Sequence, residues 1–149
     1  MSKNILLIED DGYMSETIKN ELDKNYDNVE LAYSYESAVD CWGDDDNVKN
    51  FDCIIIDLHI NPRGMEIEEV VRYNPYYGIA VYDYFKDNPC KESSKRLEQK
   101  TILYSGYIEG FKQYCKLHKG DYKKLVQIDK NESSSFNKLI NKIDKICNE

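Results

Sequence analysis

The sequence predicts an α/β protein: a single domain over 1–149 built on one parallel β-sheet with helices on both faces. Three observations carry that expectation. Apolar runs of strand length recur five times, each followed by a helix-like segment. The strongest runs are continuous and do not alternate with polar residues, as strands covered on both sides are. The length suits about one domain with one core.

KNILLIE (3–9) is the first such strand, and Gly12–Tyr26 follows as a helix with Met14, Ile18 and Leu22 on one face. NVELAY (28–33) alternates Val29, Leu31 and Tyr33, the pattern of a half-buried strand. Ser34–Trp42 reads as a short helix, ended by Gly43 and an exposed acidic turn, Asp44–Asp46. FDCIIID (51–57) is the strongest strand, with three consecutive isoleucines. The next segment, NPRGMEIEEVVRYNPYY (61–77), exceeds the ~2–6 residues usual for connections in α/β units and reads as an extended loop. Its tyrosines and aliphatic residues make it a lid, a partner surface or a self-packed loop.

Helical spacing resumes in GIAVYDYFK (78–86) through Ile79, Tyr82 and Phe85, followed by a polar excursion over 87–99. KTILYSG (100–106) is the fourth strand, and Ile108, Phe111 and Cys115 mark a helix over 108–118. KKLVQID (123–129) is the fifth strand. SSSFNKLINKIDKIC (133–147) is a helix opened by cap-competent serines, with Phe136, Leu139, Ile140, Ile143 and Cys147 at helical period.

Composition narrows the function classes. Hydrophobic residues make up 41% and charged residues 32%, with three prolines, so the chain reads as globular. A net charge of −8 opposes sequence-independent binding to a phosphate backbone, although KRLEQK (95–100) and YKK (122–124) are locally basic. No nucleic acid is therefore expected as a direct partner. No apolar stretch approaches the ~20 residues of a membrane span and no signal peptide is visible, so no membrane association and a cytoplasmic location are expected. Five scattered cysteines without a C-x-x-C pair read as reduced thiols. The two histidines, His59 and His118, have no spacing to a Cys/His zinc site, and His118 reads as a surface residue or a cation at a helix end.

In doubly wound sheets, ligands bind beyond the carboxyl ends of the strands. Here those ends carry chemistry. Glu9 and Asp10 end the first strand, Asp57 the third and Ser105 the fourth, while Lys130 follows the fifth. Like charges close together disfavour one another's ionised forms. Acids gathered at one sheet edge therefore need a solvent outlet or a cation. Asp11 reads as a solvated loop residue.

ILLIEDD (5–11), FDCIIIDL (51–58), GIAVYDYF (78–85), TILYSGY (101–107) and LVQIDK (125–130) together resemble the receiver domain of bacterial two-component response regulators. The resemblance covers nearly the full length and implies a flavodoxin-like sheet in the order 2-1-3-4-5. It makes Asp57 the phosphoacceptor, fed by a histidine kinase or phosphotransfer protein. Glu9, Asp10, Asp57 and the backbone carbonyl of His59 would hold Mg²⁺, Ser105 would meet a phosphoryl oxygen, and Lys130 would pair with Asp57 or the phosphoryl group. Such a chain is a signalling switch that catalyses its own phosphorylation and slow dephosphorylation, not an enzyme with a separate substrate. The physical chemistry agrees, because a carboxylate attacks an anionic phosphoryl donor poorly unless a cation neutralises the charge between them.

This sequence departs from the family pattern at two further places. Asn131 stands where proline follows the lysine, often across a cis bond, and Gln127 stands where the family has its switch aromatic. Coupling would then run through Tyr107 or Tyr104, or be absent. The leading expectation is a stand-alone receiver acting on an unknown downstream protein. The alternative is a receiver-like interaction module that acts without phosphorylation. An aspartyl phosphatase is a distant third, since Asp57-Leu58-His59 lacks the second acid of a D-x-D pattern.

Overall fold

The computed structural model describes residues 3–44, 47–118 and 120–149. Five strands form one parallel sheet: β1 (Asn4–Ile8), β2 (Asn28–Ala32), β3 (Cys53–Ile56), β4 (Thr101–Ser105) and β5 (Val126–Asp129). Their order is β2-β1-β3-β4-β5, as the resemblance implied. The helices are α1 (Gly12–Leu22), α2 (Tyr35–Trp42), α3 (Ile67–Tyr73), α4 (Tyr77–Asp87), α5 (Ile108–Leu117) and α6 (Ser135–Cys147).

The continuous apolar runs are explained by two cores, one on each sheet face. Ile5 and Leu7 of β1 pack with Ile18 and Leu22 of α1 and with Leu139 and Ile143 of α6. Leu6 and Ile8 point the other way, onto the side holding Trp42 of α2, Ile79 and Phe85 of α4, and Phe111 of α5. Adjacent strand residues face opposite sides, so a strand with a core on each side has no polar face to show.

Local chemistry sets the helix starts unevenly. Asp11, expected to be a solvated loop acid, caps α1: its carboxylate accepts from the N–H groups of Tyr13 and Met14 at 3.0 and 3.1 Å. Ser34 caps α2 by accepting from the Ser37 N–H at 3.1 Å. The serines before α6 do not cap it. Ser134 sits in the left-handed region at φ 63 with no capping bond, because a cap needs extended backbone. The Ser135 hydroxyl turns inward instead and donates to the Lys130 carbonyl at 3.2 Å.

Segment 61–77 corrects the expectation of an extended loop, because α3 lies inside it. The helix was hidden because its apolar positions do not mark a buried face. Ile67 and Val71 are 80% and 75% exposed, and Tyr73 is the buried member. Glu69 supports its first turn by accepting from the Glu66 N–H at 3.2 Å. The start of the segment is tied down as well. Asn61 and Arg63 carbonyls accept from Tyr35 and Glu36 N–H groups, both at 2.9 Å, filling two orphan donors of α2. The fifth strand is shorter than expected, since Lys123 and Lys124 form a turn. The expected acidic turn falls partly on Asp45 and Asp46, outside the described residues.

Candidate functional site

The site follows from strand register. Ile8 pairs with Ile56, so the next residues, Glu9 and Asp57, emerge side by side at the carboxyl edge of the sheet. Ser105 pairs with Asp129, which delivers Lys130 one step further on, its N–H donating to the Ser105 carbonyl at 3.0 Å. The α4 N-terminus closes behind Asp57. Gly78 donates to the Leu58 carbonyl at 2.9 Å and approaches so near that a Cβ would lie 2.1 Å from the Asp57 carbonyl oxygen.

The Lys130 ammonium bridges two of the acids, donating to Glu9 Oε1 and, at 3.0 Å, to Asp57 Oδ2. Glu9 is 2% exposed and Asp57 7%, whereas Asp10 is exposed. Glu9, Asp10 and Asp57 each offer an oxygen within 4.8 Å of the others. Burial, and then the hydrogen bond and charge of Asp57, push the Glu9 carboxyl up to about 8, with Lys130 pulling against them. Burial and Asp57 also raise Asp10. For Lys130, burial favours the neutral form, but the charges and hydrogen bonds of Asp57 and Glu9 outweigh it and hold the group above its ordinary value. One ammonium thus faces more negative charge than it neutralises. A hard divalent cation with oxygen ligands fits that donor set.

These residues border an open cavity of about 650 Å³ together with Asp11, His59, Gly106, Tyr107 and Asn131. Ser105 is fully buried and does not line it, and its Oγ accepts from the Tyr107 N–H at 3.3 Å. Sequence reasoning valued His59 for its carbonyl and missed its ring. The imidazole stacks on Tyr107 with centroids 3.4 Å apart, and its Nε2 is buried without a hydrogen-bond partner. Burial lowers its pKa against the opposing pull of Asp57 and Asp10. No spacing rule signals this stack, since it joins two loops that meet only in the fold. His118, at the end of α5, stacks on Tyr114.

The two departures have structural consequences. The Lys130–Asn131 peptide is trans, and the cis bond among the described residues lies at Asn74–Pro75. Asn131 uses the N–H that proline lacks, donating to Asp129 Oδ1 at 2.8 Å, and its side-chain amide donates to the Gly106 carbonyl at 2.9 Å. Gln127 donates to the Tyr122 carbonyl at 3.4 Å, while its Oε1 is buried without a partner. No helix among the described residues is long and apolar enough to cross a membrane.

No protein-family model matches the chain, and no curated protein matches it in sequence. Solved structures do. The non-phosphorylated HemR receiver domain from Leptospira biflexa is 18% identical with a TM-score of 0.63, over 99% of this chain and 96% of that one. A CheY-like receiver domain from Methylobacillus flagellatus is 17% identical with a TM-score of 0.60, over 96% and 99%. The response regulator TrrA from Thermotoga maritima, solved in complex with Mg²⁺ and BeF, is 21% identical with a TM-score of 0.57, over 97% and 98%. With its 2-1-3-4-5 parallel sheet and acids at the strand ends, the chain has the flavodoxin-like fold of response regulator receiver domains.

Proposed function

We propose that the protein is a phosphoacceptor switch of a two-component phosphorelay, phosphorylated on Asp57 and read out through protein contacts. The observation that carries this reading is the convergence of Glu9, Asp10 and Asp57 within 4.8 Å of one another, with Lys130 held against two of them. Strand register joins residues separated by most of the chain, and structural packing alone would not bury Glu9 beside Asp57.

Glu9, Asp10, Asp57 and the His59 carbonyl are the groups that would hold Mg²⁺. When bound, the ion supplies charge neutralisation between carboxylate and phosphoryl oxygens. The remaining work belongs to the chain. Asp57 Oδ attacks phosphorus of a phosphohistidine donor, an acyl phosphate bond forms, and the P–N bond breaks with its electron pair leaving on the donor imidazole, which takes up a proton. Lys130 then exchanges its contact with Asp57 Oδ2 for one with a phosphoryl oxygen, and Ser105 approaches from the end of β4 once its Oγ leaves the Tyr107 N–H. Phosphorylation can bias the fold between two states only by the difference in these contacts.

Gln127 and Asn131, standing where the family has its switch aromatic and its proline, favour a second reading, a receiver-like module that acts without phosphorylation. Intact-mass measurement after incubation with Mg²⁺ and acetyl phosphate separates the two. One added phosphoryl group in wild type and none in Asp57→Asn is the expected outcome. No mass gain in wild type selects the second reading, and a gain retained in Asp57→Asn moves the acceptor elsewhere.

A further inference from the structure

We propose that a cavity at the opposite edge of the sheet, between α2, the end of α4 and segment 89–97, binds a small organic anion with a flat apolar body, its acidic head seated on Lys100. The cavity holds about 270 Å³ and borders Lys100, the residue just before β4, whereas the acidic site lies beyond the far end of that strand. Its floor is the buried stack of Trp42 on Phe85, with centroids 4.1 Å apart and planes 14° apart, and Leu97 and Pro89 are its accessible apolar lining. Lys86, Arg96 and Lys100 surround it, and among the described residues no Asp or Glu lines it, in a chain of net charge −8. The KRLEQK run, unexplained by the switch, supplies much of this cationic rim.

Lys100 is the anchor. It is 2% exposed, and among the described residues its ammonium has one hydrogen-bond partner, Ser93 Oγ at 3.1 Å, with no carboxylate within 4.0 Å. An ammonium carries three donors, and a buried one without a counter-charge is strongly disfavoured. Burial accordingly lowers the pKa of this lysine. Cys90 and Asp52 oppose that burial only at a distance, and an anion beside the ammonium would supply a charge in contact and fill the open donors. Lys95 also borders the cavity but is committed elsewhere, donating to the Ile146 carbonyl at 2.6 Å. Arg96, exposed and 3.4 Å from Glu98, is free to share its remaining donors with a ligand at the rim. Flat apolar walls with a few convergent polar groups are the ordinary construction of a small-molecule site.

The test uses naphthalene-2-sulfonate as probe, 2-naphthalenemethanol as its neutral counterpart and sodium sulfate as the bare anion. Binding is measured by calorimetry and by the indole N–H signal of Trp42, the single tryptophan of the chain. Saturable one-site binding of the sulfonate that shifts this signal is expected, at least ten-fold tighter than either the alcohol or sulfate. Lys100→Met should weaken it ten-fold or more, and Arg96→Gln, at an exposed position, several-fold. The proposal is overturned if the sulfonate does not saturate, if the alcohol or sulfate binds as tightly, if Trp42 does not respond, or if folded Lys100→Met keeps wild-type affinity. Should Lys100→Met not fold, the sulfonate-to-alcohol ratio on wild type and the Arg96→Gln affinity decide the matter by the same criteria.

Discussion

The imidazole of His59 lies flat against the ring of Tyr107, centroids 3.4 Å apart and planes 17° apart, at the border of the cavity that Asp57 shares. Tyr107 is half exposed, so it shields the imidazole while remaining in water itself. Burial is what depresses the His59 pKa, and Asp57 and Asp10 would raise it if water returned. Tyr107→Ala should therefore raise the His59 pKa to its ordinary value or above. With two histidines in the chain, the NMR titration of their ring protons resolves His59 from His118 and reads the change directly.

The packing of α4 against β3 makes a sharper demand. A Cβ on Gly78 would lie 2.1 Å from the Asp57 carbonyl oxygen and 2.9 Å from an Ile56 methyl. Backbone cannot yield as a flexible side-chain tip can. Gly78→Ala should destabilise the fold by about 3 kcal/mol, measured by urea denaturation. It should also lower the mass gain proposed for acetyl phosphate in whatever fraction folds, because the displaced backbone carries Asp57.

The acidic site predicts a response to metal. If Mg²⁺ binds the native state alone, a concentration of ~10 Kd should stabilise it by roughly 1.4 kcal/mol. Asp10→Asn should abolish most of that increment while raising the metal-free thermal midpoint slightly, since burial and the Asp57 charge disfavour an ionised Asp10. Thermal unfolding with and without Mg²⁺ checks both. Equal metal responses in wild type and Asp10→Asn would remove Asp10 from the ligand set.

A half-buried carboxylate organises the far side of α4. Asp83 accepts from Tyr73 at 2.6 Å and from Tyr122 at 2.9 Å, linking α3, α4 and the approach to β5. Burial first, and then the charge and hydrogen bonds of Asp83, raise both phenols well above the ordinary tyrosine value. A raised folded-state pKa means that the stability is fully present below about pH 10 and is lost as pH climbs above it. Urea midpoints should thus fall steeply above about pH 10, with tyrosinate absorbance rising together with loss of helix signal. Tyr122→Phe should flatten this alkaline loss and cost about 1–2 kcal/mol at neutral pH.

Much of the architecture was legible in the residues themselves. ILLI and CIII could only be strands covered on both faces, and the periods of α1, α4, α5 and α6 named their buried sides. Period and apolar continuity are local properties, written directly into the chain. The position of each acid, hydroxyl and lysine at a strand end was legible for the same reason, and the resemblance ordered them into one site.

What the tertiary structure decided were the relations between distant residues. Register alone put Glu9 beside Asp57 deeply enough to raise its pKa, and packing alone laid His59 on Tyr107. Helix α3 escaped the sequence because Ile67 and Val71 face water, leaving no amphipathic pattern that points inward. Asp11 is a solvated loop residue as read, but its further role as the cap of α1 was not legible, since a cap depends on backbone geometry and not on residue type alone. Lys100 looked like one more charge in a basic run until folding buried it with no carboxylate among the described residues at ion-pair distance. Local pattern determines which elements form; burial, register and the charges they bring together are set only when those elements pack.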